Sequence, residues 1–198
     1  AGDDSEHPPG LQPAAGHAGH QVRQARNGIG LDRQGVLALP KQAAGILLYR
    51  RGPRGLEVLL AHPGGPLWAR KDLGAWTLPK GQFNVDEPPI AAAKREFEEE
   101  MGSPSTGELV EIGSIKQPSG KVVHAFVAES DFDVATVQSN LFSLEWPPKS
   151  GQRAQFPEVD RAAWFSIEEA RTKILKGQEP FLDRLLTLLK SATADGSS

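Results

Sequence analysis

The sequence predicts an α/β (α+β) fold, a sandwich around a central sheet, and three features predict it. Two short β-type runs, 43–50 and 56–63, flank the turn sequence RGPRG. A helix then starts at a proline pair, Pro88 and Pro89, and stops at Gly102. Two more strand runs and two helical runs follow. That order of strands, helix, strands, helices departs from the strict alternation of a βαβ wheel.

Each element has its own reason. AAGILLYR (43–50) and LEVLLAHP (56–63) are β-branched and apolar, and the Gly-Pro-containing turn between them reads as a hairpin. GGPLWARKDLG (64–74) is a loop. AWTLPKG (75–81) reads as a short strand ended by Pro79 and Gly81. The helix runs to Met101, with Ile90, Ala93, Phe97 and Met101 as its core-facing stripe. ELVEIGSIKQ (108–117) and KVVHAFVAE (121–129) are strands around the turn PSG. SNLFSLEW (139–146) is strand-like, and PPKSGQRAQFPEVD (147–160) reads as a loop. RAAWFS leads into a helix from about Ile167 to Leu175. An amphipathic helix over about 178–190 places Phe181, Leu182, Leu185, Leu186 and Leu189 on one side. No internal repeat is visible.

Composition bounds the organisation. With 198 residues, 38% hydrophobic and 24% charged, the chain can bury one real core. Residues 1–38 are rich in Gly, Pro, Ala, Gln and His and are expected to be a flexible tail, with a short ordered piece near GVLAL. His17 and His20 in GHAGH read as part of that solvated tail rather than as metal ligands. The domain is expected over 39–190, with a second flexible tail over 191–198. The net charge of −3 and the absence of a basic cluster argue against a nucleic-acid polymer as partner. No apolar run reaches the roughly 20 residues of a membrane span, so no membrane is expected. The acidic, proline-rich N-terminus does not read as a secretory signal. The chain has no cysteine, which fits a cytoplasmic location and leaves histidine and carboxylate as the available metal ligands.

The segment REFEEEMG (95–102) carries four glutamates near a helix C-terminus, where the macrodipole disfavours negative charge. Glu96, Glu99 and Glu100 share one side of the helix, and Glu98 points elsewhere. Converging carboxylates suit a hard divalent cation such as Mg²⁺, which takes oxygen ligands and keeps several waters. A solvated acidic face is the other reading, supported by the i,i+4 pairs Lys94–Glu98 and Arg95–Glu99.

The flanking spacing resembles the Nudix box. Gly81 is followed after five residues by Glu87, then after seven by Arg95, Glu96, Phe97, Glu98, Glu99, Glu100, Met101 and Gly102. Every fixed position of the box matches except its final aliphatic place, where Ser103 stands. The resemblance extends from WTLPKG to PEVDRAAWFSIEEA and spans about Gln42 to Leu189. It implies an α/β/α sandwich with a mixed central sheet. It also implies metal-dependent hydrolysis of a nucleoside diphosphate linked to another group.

On that resemblance, Glu96, Glu99 and Glu100 bind Mg²⁺ or Mn²⁺ with help from the Gly81 carbonyl. Arg95 orients Glu96 by a bidentate contact, and Glu87 is a supporting ligand or a stabiliser of the loop-to-helix turn. The general base is Glu96, Glu145 or Glu158, the last two having ordinary loop acids as their alternative reading. His62 and His124 read as structural histidines.

Substrate contacts are expected from the loop before the box. Trp68 can stack on a base, and Arg70, Lys71 and Lys80 can meet phosphates. Partly buried core is the competing reading for Trp68 and Trp76, and a solvated surface for Arg70 and Lys71. The small-molecule substrate is expected to be a dinucleoside polyphosphate or a nucleoside triphosphate. The alternatives are an ADP-ribose or nucleotide-sugar pyrophosphatase, and a Nudix-like nucleotide-binding module without catalysis. Oligomeric state is left open.

Overall fold

The computed structural model describes residues 30–31, 37–38, 40–53, 55–84 and 86–195. Most of the expected tail over 1–38, and His17 and His20 within it, lie outside the described residues. Within that tail, β1 (Gly30–Leu31) and β2 (Leu37–Ala38) form a small antiparallel pair.

The main sheet is mixed. It contains β3 (Gln42–Gly52), β4 (Gly55–Pro63), β5 (Lys80–Phe83), β6 (Val110–Lys116), β7 (Val122–Glu129) and β10 (Val159–Ser166). The order is β10-β4-β3-β7-β6, and β5 pairs with β3. Only β3 and β7 run parallel, and the other pairs are antiparallel. A separate two-stranded ribbon is made by β8 (Leu141–Glu145) and β9 (Arg153–Pro157).

Helices cover both faces of the sheet. α1 (Pro89–Met101) packs Ala92, Ala93, Phe97 and Met101 against Ala44, Ile46, Leu48 and Leu59. On the other face, α2 (Ile167–Lys173) supplies Ala170, and α3 (Pro180–Asp195) supplies Phe181, Leu182 and Leu185. These pack on Ala43, Leu47, Val58 and Leu60. The architecture is therefore an α/β/α sandwich. Because β3 is covered on both faces, residues 43–48 are buried without interruption, and the strand reads as an apolar run rather than an alternation.

Several boundaries differ from the sequence reading. The strand expected over 75–81 begins instead at Lys80 and continues to Phe83. Pro79 has no N–H to donate to a ladder. Residues before it make isolated bridges, Thr77 with Ala61 and Trp76 with Ile174. The expected loop 147–160 contains β9, whose partner β8 was legible while its own five residues, set in a Pro- and Gly-containing stretch, were not. α2 stops at Lys173, because the Leu175 N–H goes to the Trp76 carbonyl at 2.7 Å instead of continuing the helix. α3 runs five residues past 190. Ser191 and Thr193 hydroxyls bond back to the carbonyls of Thr187 and Leu189, and no glycine intervenes before Gly196. Ile90 is exposed, and Ala92 takes its place in the core stripe. Among the described residues no helix is long and apolar enough to cross a membrane.

The end of α1 is fixed by the segment that follows β7. Gly102 sits at φ 85° and returns its N–H to the Glu98 carbonyl at 2.8 Å. The next free carbonyls, Glu99 and Met101, accept N–H bonds from Asn140 and Gln138 at 3.0 and 3.3 Å. A Cβ on Gly102 would come within 2.9 Å of Gln138. We expect Gly102→Ala to lower stability by more than the about 1–2 kcal/mol that a left-handed conformation costs an L-residue. Gly120→Ala, at φ 84° with open space around it, should show only the conformational part. Urea denaturation of both variants checks this, and equal losses would mean that the packing on Gln138 contributes nothing.

Candidate active site

Three consecutive residues of β5 meet three residues of α1. The Lys80 N–H donates to Glu100 Oε2 at 2.8 Å. Gly81 lies against the Glu96 carboxylate so closely that any Cβ would overlap it. The Gln82 carbonyl accepts from Arg95 Nη2 at 3.3 Å. A side chain at position 81 would therefore push the Glu96 carboxylate aside, so glycine there reflects close approach and not backbone dihedrals.

Arg95 is the hub. Its Nε and Nη2 donate to the two Glu87 carboxylate oxygens at 3.0 and 3.1 Å, a two-pronged pair. Its Nη1 donates to Glu96 Oε1 at 2.7 Å and to Glu99 Oε2 at 3.1 Å. The bidentate contact implied for Glu96 is therefore made with Glu87, and Glu96 receives a single prong. Geometry explains the exchange. Arg95 and Glu96 are sequence neighbours on the helix, whereas Glu87 in the preceding loop can face the guanidinium edge on. These bonds, Glu87 first, push the Arg95 pKa further up and hold the Glu87 carboxyl below its ordinary range.

Glu100 is different. It is half-buried and lacks a salt bridge among the described residues, and burial raises its pKa to about 7. The Glu96 and Glu158 charges push in the same direction, while Lys80 and its backbone N–H oppose them. Glu158 is also raised, by burial first and then by Glu96 and Glu99. Its backbone is tied in place from both sides. Its N–H donates to the Asn140 carbonyl and its carbonyl accepts from the Gly64 N–H, each at 2.9 Å. Asn140 in turn caps α1 through Glu99, so the loop carrying Glu158 is anchored to the helix that carries the other glutamates.

Of the two loop acids, the structure brings only Glu158 to the glutamate group. Glu145 is exposed at the end of β8 and accepts from the Gly151 N–H at 2.9 Å, where it holds the ribbon's own turn.

A cleft of about 350 Å³ opens beside these acids. Lys80, Glu100 and Glu158 line one part of it, and Trp68, Leu67, Phe142 and Leu144 line another. Trp68 is half-buried, with Lys71 Nζ 4.6 Å from its ring centroid. Arg70 and Lys71 are exposed and do not line the cleft. Trp76 is core, 4% exposed, with its indole N–H on Asp72 at 2.9 Å.

The histidines serve structure. His62 is fully buried between Asp160 (2.8 Å) and the Lys71 carbonyl (2.7 Å), so it pins the loop 64–74 to β4 and β10. His124 bonds Gln42 Oε1 at 2.9 Å.

Sequence reasoning missed Lys41 and Lys121. The parallel register pairs Gln42 with Val122, so the lysines before each strand become neighbours. Lys121 is half-buried, and its pKa is lowered by burial and then by Lys80 and Lys41, with Glu100 and Glu96 acting against them. It also missed Phe142 and Leu144, which reach the cleft only because the ribbon folds over it. Neither pair has a local signal, since both depend on strand pairing.

Among the described residues no three carboxylate or imidazole groups form a ready metal cage. Arg95 holds Glu96 and Glu99, and the Lys80 N–H holds Glu100, so the acids are spread along β5. The donors are nonetheless all hard oxygens beside a cleft. That fits Mg²⁺ or Mn²⁺, which are completed by water and substrate phosphates rather than by a full protein cage.

The raised Glu100 pKa has a consequence for stability. The folded chain holds this proton more tightly than the unfolded chain, whose carboxyl titrates near 4.5. The favourable contribution is present below pH 4.5 and is lost as pH rises to about 7. We therefore expect the Tm of metal-free protein to fall across that window and Glu100→Gln to flatten the fall. Mg²⁺ or Mn²⁺ should raise Tm more at pH 8 than at pH 5. Thermal scans at several pH values check this, and an unchanged slope in the variant would exclude Glu100 as the source.

The NUDIX domain family description matches residues 39–185. Among curated proteins no sequence matches the chain. Among solved structures, an Ap4A hydrolase binary complex from C. elegans is 23% identical, with a TM-score of 0.54, covering 75% of this chain and 98% of that one. The NUDIX domain of Shewanella oneidensis NrtR, complexed with ADP ribose, is 15% identical, with a TM-score of 0.56, covering 80% and 93%. A mutT/nudix family protein from Listeria innocua is 16% identical, with a TM-score of 0.53, covering 79% and 99%. These likenesses carry the fold, and the match over 39–185 carries the family: the chain belongs to the Nudix family.

Proposed function

We propose that this Nudix pyrophosphohydrolase cleaves a phosphoanhydride bond in a dinucleoside polyphosphate or a nucleoside triphosphate with the help of Mg²⁺ or Mn²⁺. The observation that carries the reading is the grouping of Glu96, Glu99, Glu100 and Glu158 beside a cleft that also holds Lys80. Acids alone would repel a polyphosphate. A divalent cation held by these acids would remove that conflict and would supply Lewis acidity toward the phosphates.

The roles follow from position. Glu96, Glu99 and Glu100 would hold the cation, with the Gly81 carbonyl alongside. Arg95 orients Glu96 and Glu99 through its ion pairs with both. Glu87 fixes Arg95 and so acts through it. Glu158 is the favoured general base over Glu145, because it reaches the cleft and Glu145 bonds the ribbon turn instead. Lys80, with Lys121 and Lys41 behind it, offers positive charge to a phosphate chain longer than a diphosphate.

Three lysines near the acids favour substrates with more phosphates over ADP-ribose. A screen of nucleotides with Mg²⁺ tests this directly. The expected result is a higher kcat/KM for a dinucleoside tetraphosphate or a triphosphate than for ADP-ribose. A preference for ADP-ribose would overturn the substrate reading. Glu96→Gln should lower kcat more than about a hundredfold, beyond the loss from removing a supporting partner of a ligand. Its circular dichroism should remain that of the parent. Arg70→Ala combined with Lys71→Ala should narrow the substrate gap only if these exposed groups swing to the phosphates, and stopped-flow comparison of both substrates reads that effect.

A further inference from the structure

We propose that the β8–β9 ribbon is the nucleobase wall of the cleft, with Phe142 and Leu144 acting together with Trp68 to stack a base without reading its hydrogen-bonding edge. The inference rests on the reading of the neighbouring acids as a phosphate-cleaving site.

The ribbon is built onto the cleft rather than onto the sheet. It pairs only with itself, and a turn of two glycines receives it. Gly64 lies so close to the Pro157 carbonyl that a Cβ would overlap it. A Cβ on Gly65, at φ 85°, would stand 3.0 Å from Phe142 Cζ. The same Gly65 carbonyl accepts the Trp68 N–H at 3.2 Å, so one turn positions both aromatic side chains. Phe156 on β9 backs Phe142, with ring centroids 6.1 Å apart.

The occupant follows from continuity and chemistry. The aromatic part of the cleft and the part lined by Lys80, Glu100 and Glu158 are one space. A ligand whose phosphates lie at the acids would therefore place its attached group against Trp68 and Phe142. A volume of about 350 Å³ is at the low end for small-molecule sites, which suits one nucleoside and not two. The second half of a dinucleoside substrate would extend into solvent.

Base identity would go largely unread. The side chains of Leu67, Phe142, Leu144 and Val159 offer no donor or acceptor, and Pro66 has no N–H. The Thr77 hydroxyl is buried, and its single proton is shared between Gln178 Oε1 and the Leu78 carbonyl. The Gly64 N–H and the Gly65 carbonyl are already bonded. The Trp68 indole N–H is a donor, but every base presents an acceptor to a single donor, so it cannot sort them. Stacking is tolerant of base identity because every base has a π-face.

Calorimetry with methylene-bridged analogues of ATP, GTP and UTP in Mg²⁺ tests the proposal, with tripolyphosphate as the base-free probe. The three nucleotides should bind within about fivefold of one another. Phe142→Ala should weaken each by about five- to a hundredfold, the range of a lost stacking contact. Phe142→Tyr should restore binding, and tripolyphosphate affinity should be unchanged in all variants. Equal weakening of tripolyphosphate would mean that Phe142 only supports the fold, and unchanged nucleotide binding would mean that it does not touch the base. Either result overturns the proposal, as does a strong preference for one base. If the unsubstituted protein binds tripolyphosphate but no nucleotide, the hydrolase reading stands and the base wall falls. If it binds neither, both fall.

Discussion

The site depends on one guanidinium. Arg95 joins the loop before α1 through Glu87, β5 through the Gln82 carbonyl, and α1 itself through Glu96 and Glu99. Without that charge, carboxylates near a helix C-terminus would repel one another and the helix dipole would oppose them. With it, two of the acids are paired and aimed, and Gly81 can lie directly on one of them. A lysine could not substitute, because an ammonium cannot present a flat fork to Glu87 while reaching two further acceptors.

The acids outside this web have a different electrostatic condition. Glu100 is half-buried and Glu158 is exposed at the cleft; both face other carboxylates, and both are held toward the protonated form. Lys80, Lys41 and Lys121 gather close by. The result is a mixed field in which anions and cations are present but incompletely paired. Such a field is suited to a ligand that brings both signs, a divalent cation with a phosphate chain. The anchoring is mechanical as well. The chain that caps α1 at Asn140 continues through hydrogen bonds to Glu158, so helix, loop acid and ribbon are held as one unit.

The aromatic part of the cleft is separate in origin. The loop 64–74 is held from beneath by His62, which ties the Lys71 carbonyl to Asp160. The ribbon comes from above, seated on Gly64 and Gly65. Leu67 is 61% exposed at the cleft edge, an apolar side chain left facing solvent where a ligand would cover it. The acidic and the aromatic side chains thus come from different elements, which meet at the cleft.

Much of this was legible in the sequence, for a physical reason. The strand runs, the proline start and glycine stop of α1, and the one-sided placement of Glu96, Glu99 and Glu100 are set by periodicities local to the chain. The spacing from Gly81 to Gly102 encodes the β5–α1 unit because its partners lie within a single loop and helix. Even there, the sequence suggested that the fork of Arg95 goes to Glu96, and the fold gives it to Glu87. What tertiary structure alone decided involves partners far apart in the chain. Glu158 rather than Glu145 faces the acids because Asn140 and Gly64 hold its backbone. Lys41 meets Lys121 because β3 and β7 pair in parallel. β9 is a strand because β8 offers it an edge, although its five residues sit in a turn-rich stretch with no clear strand period, and so Phe142 reaches Trp68's cleft. Pairing across many residues leaves no periodic trace in either partner, and only the folded chain brings such residues together.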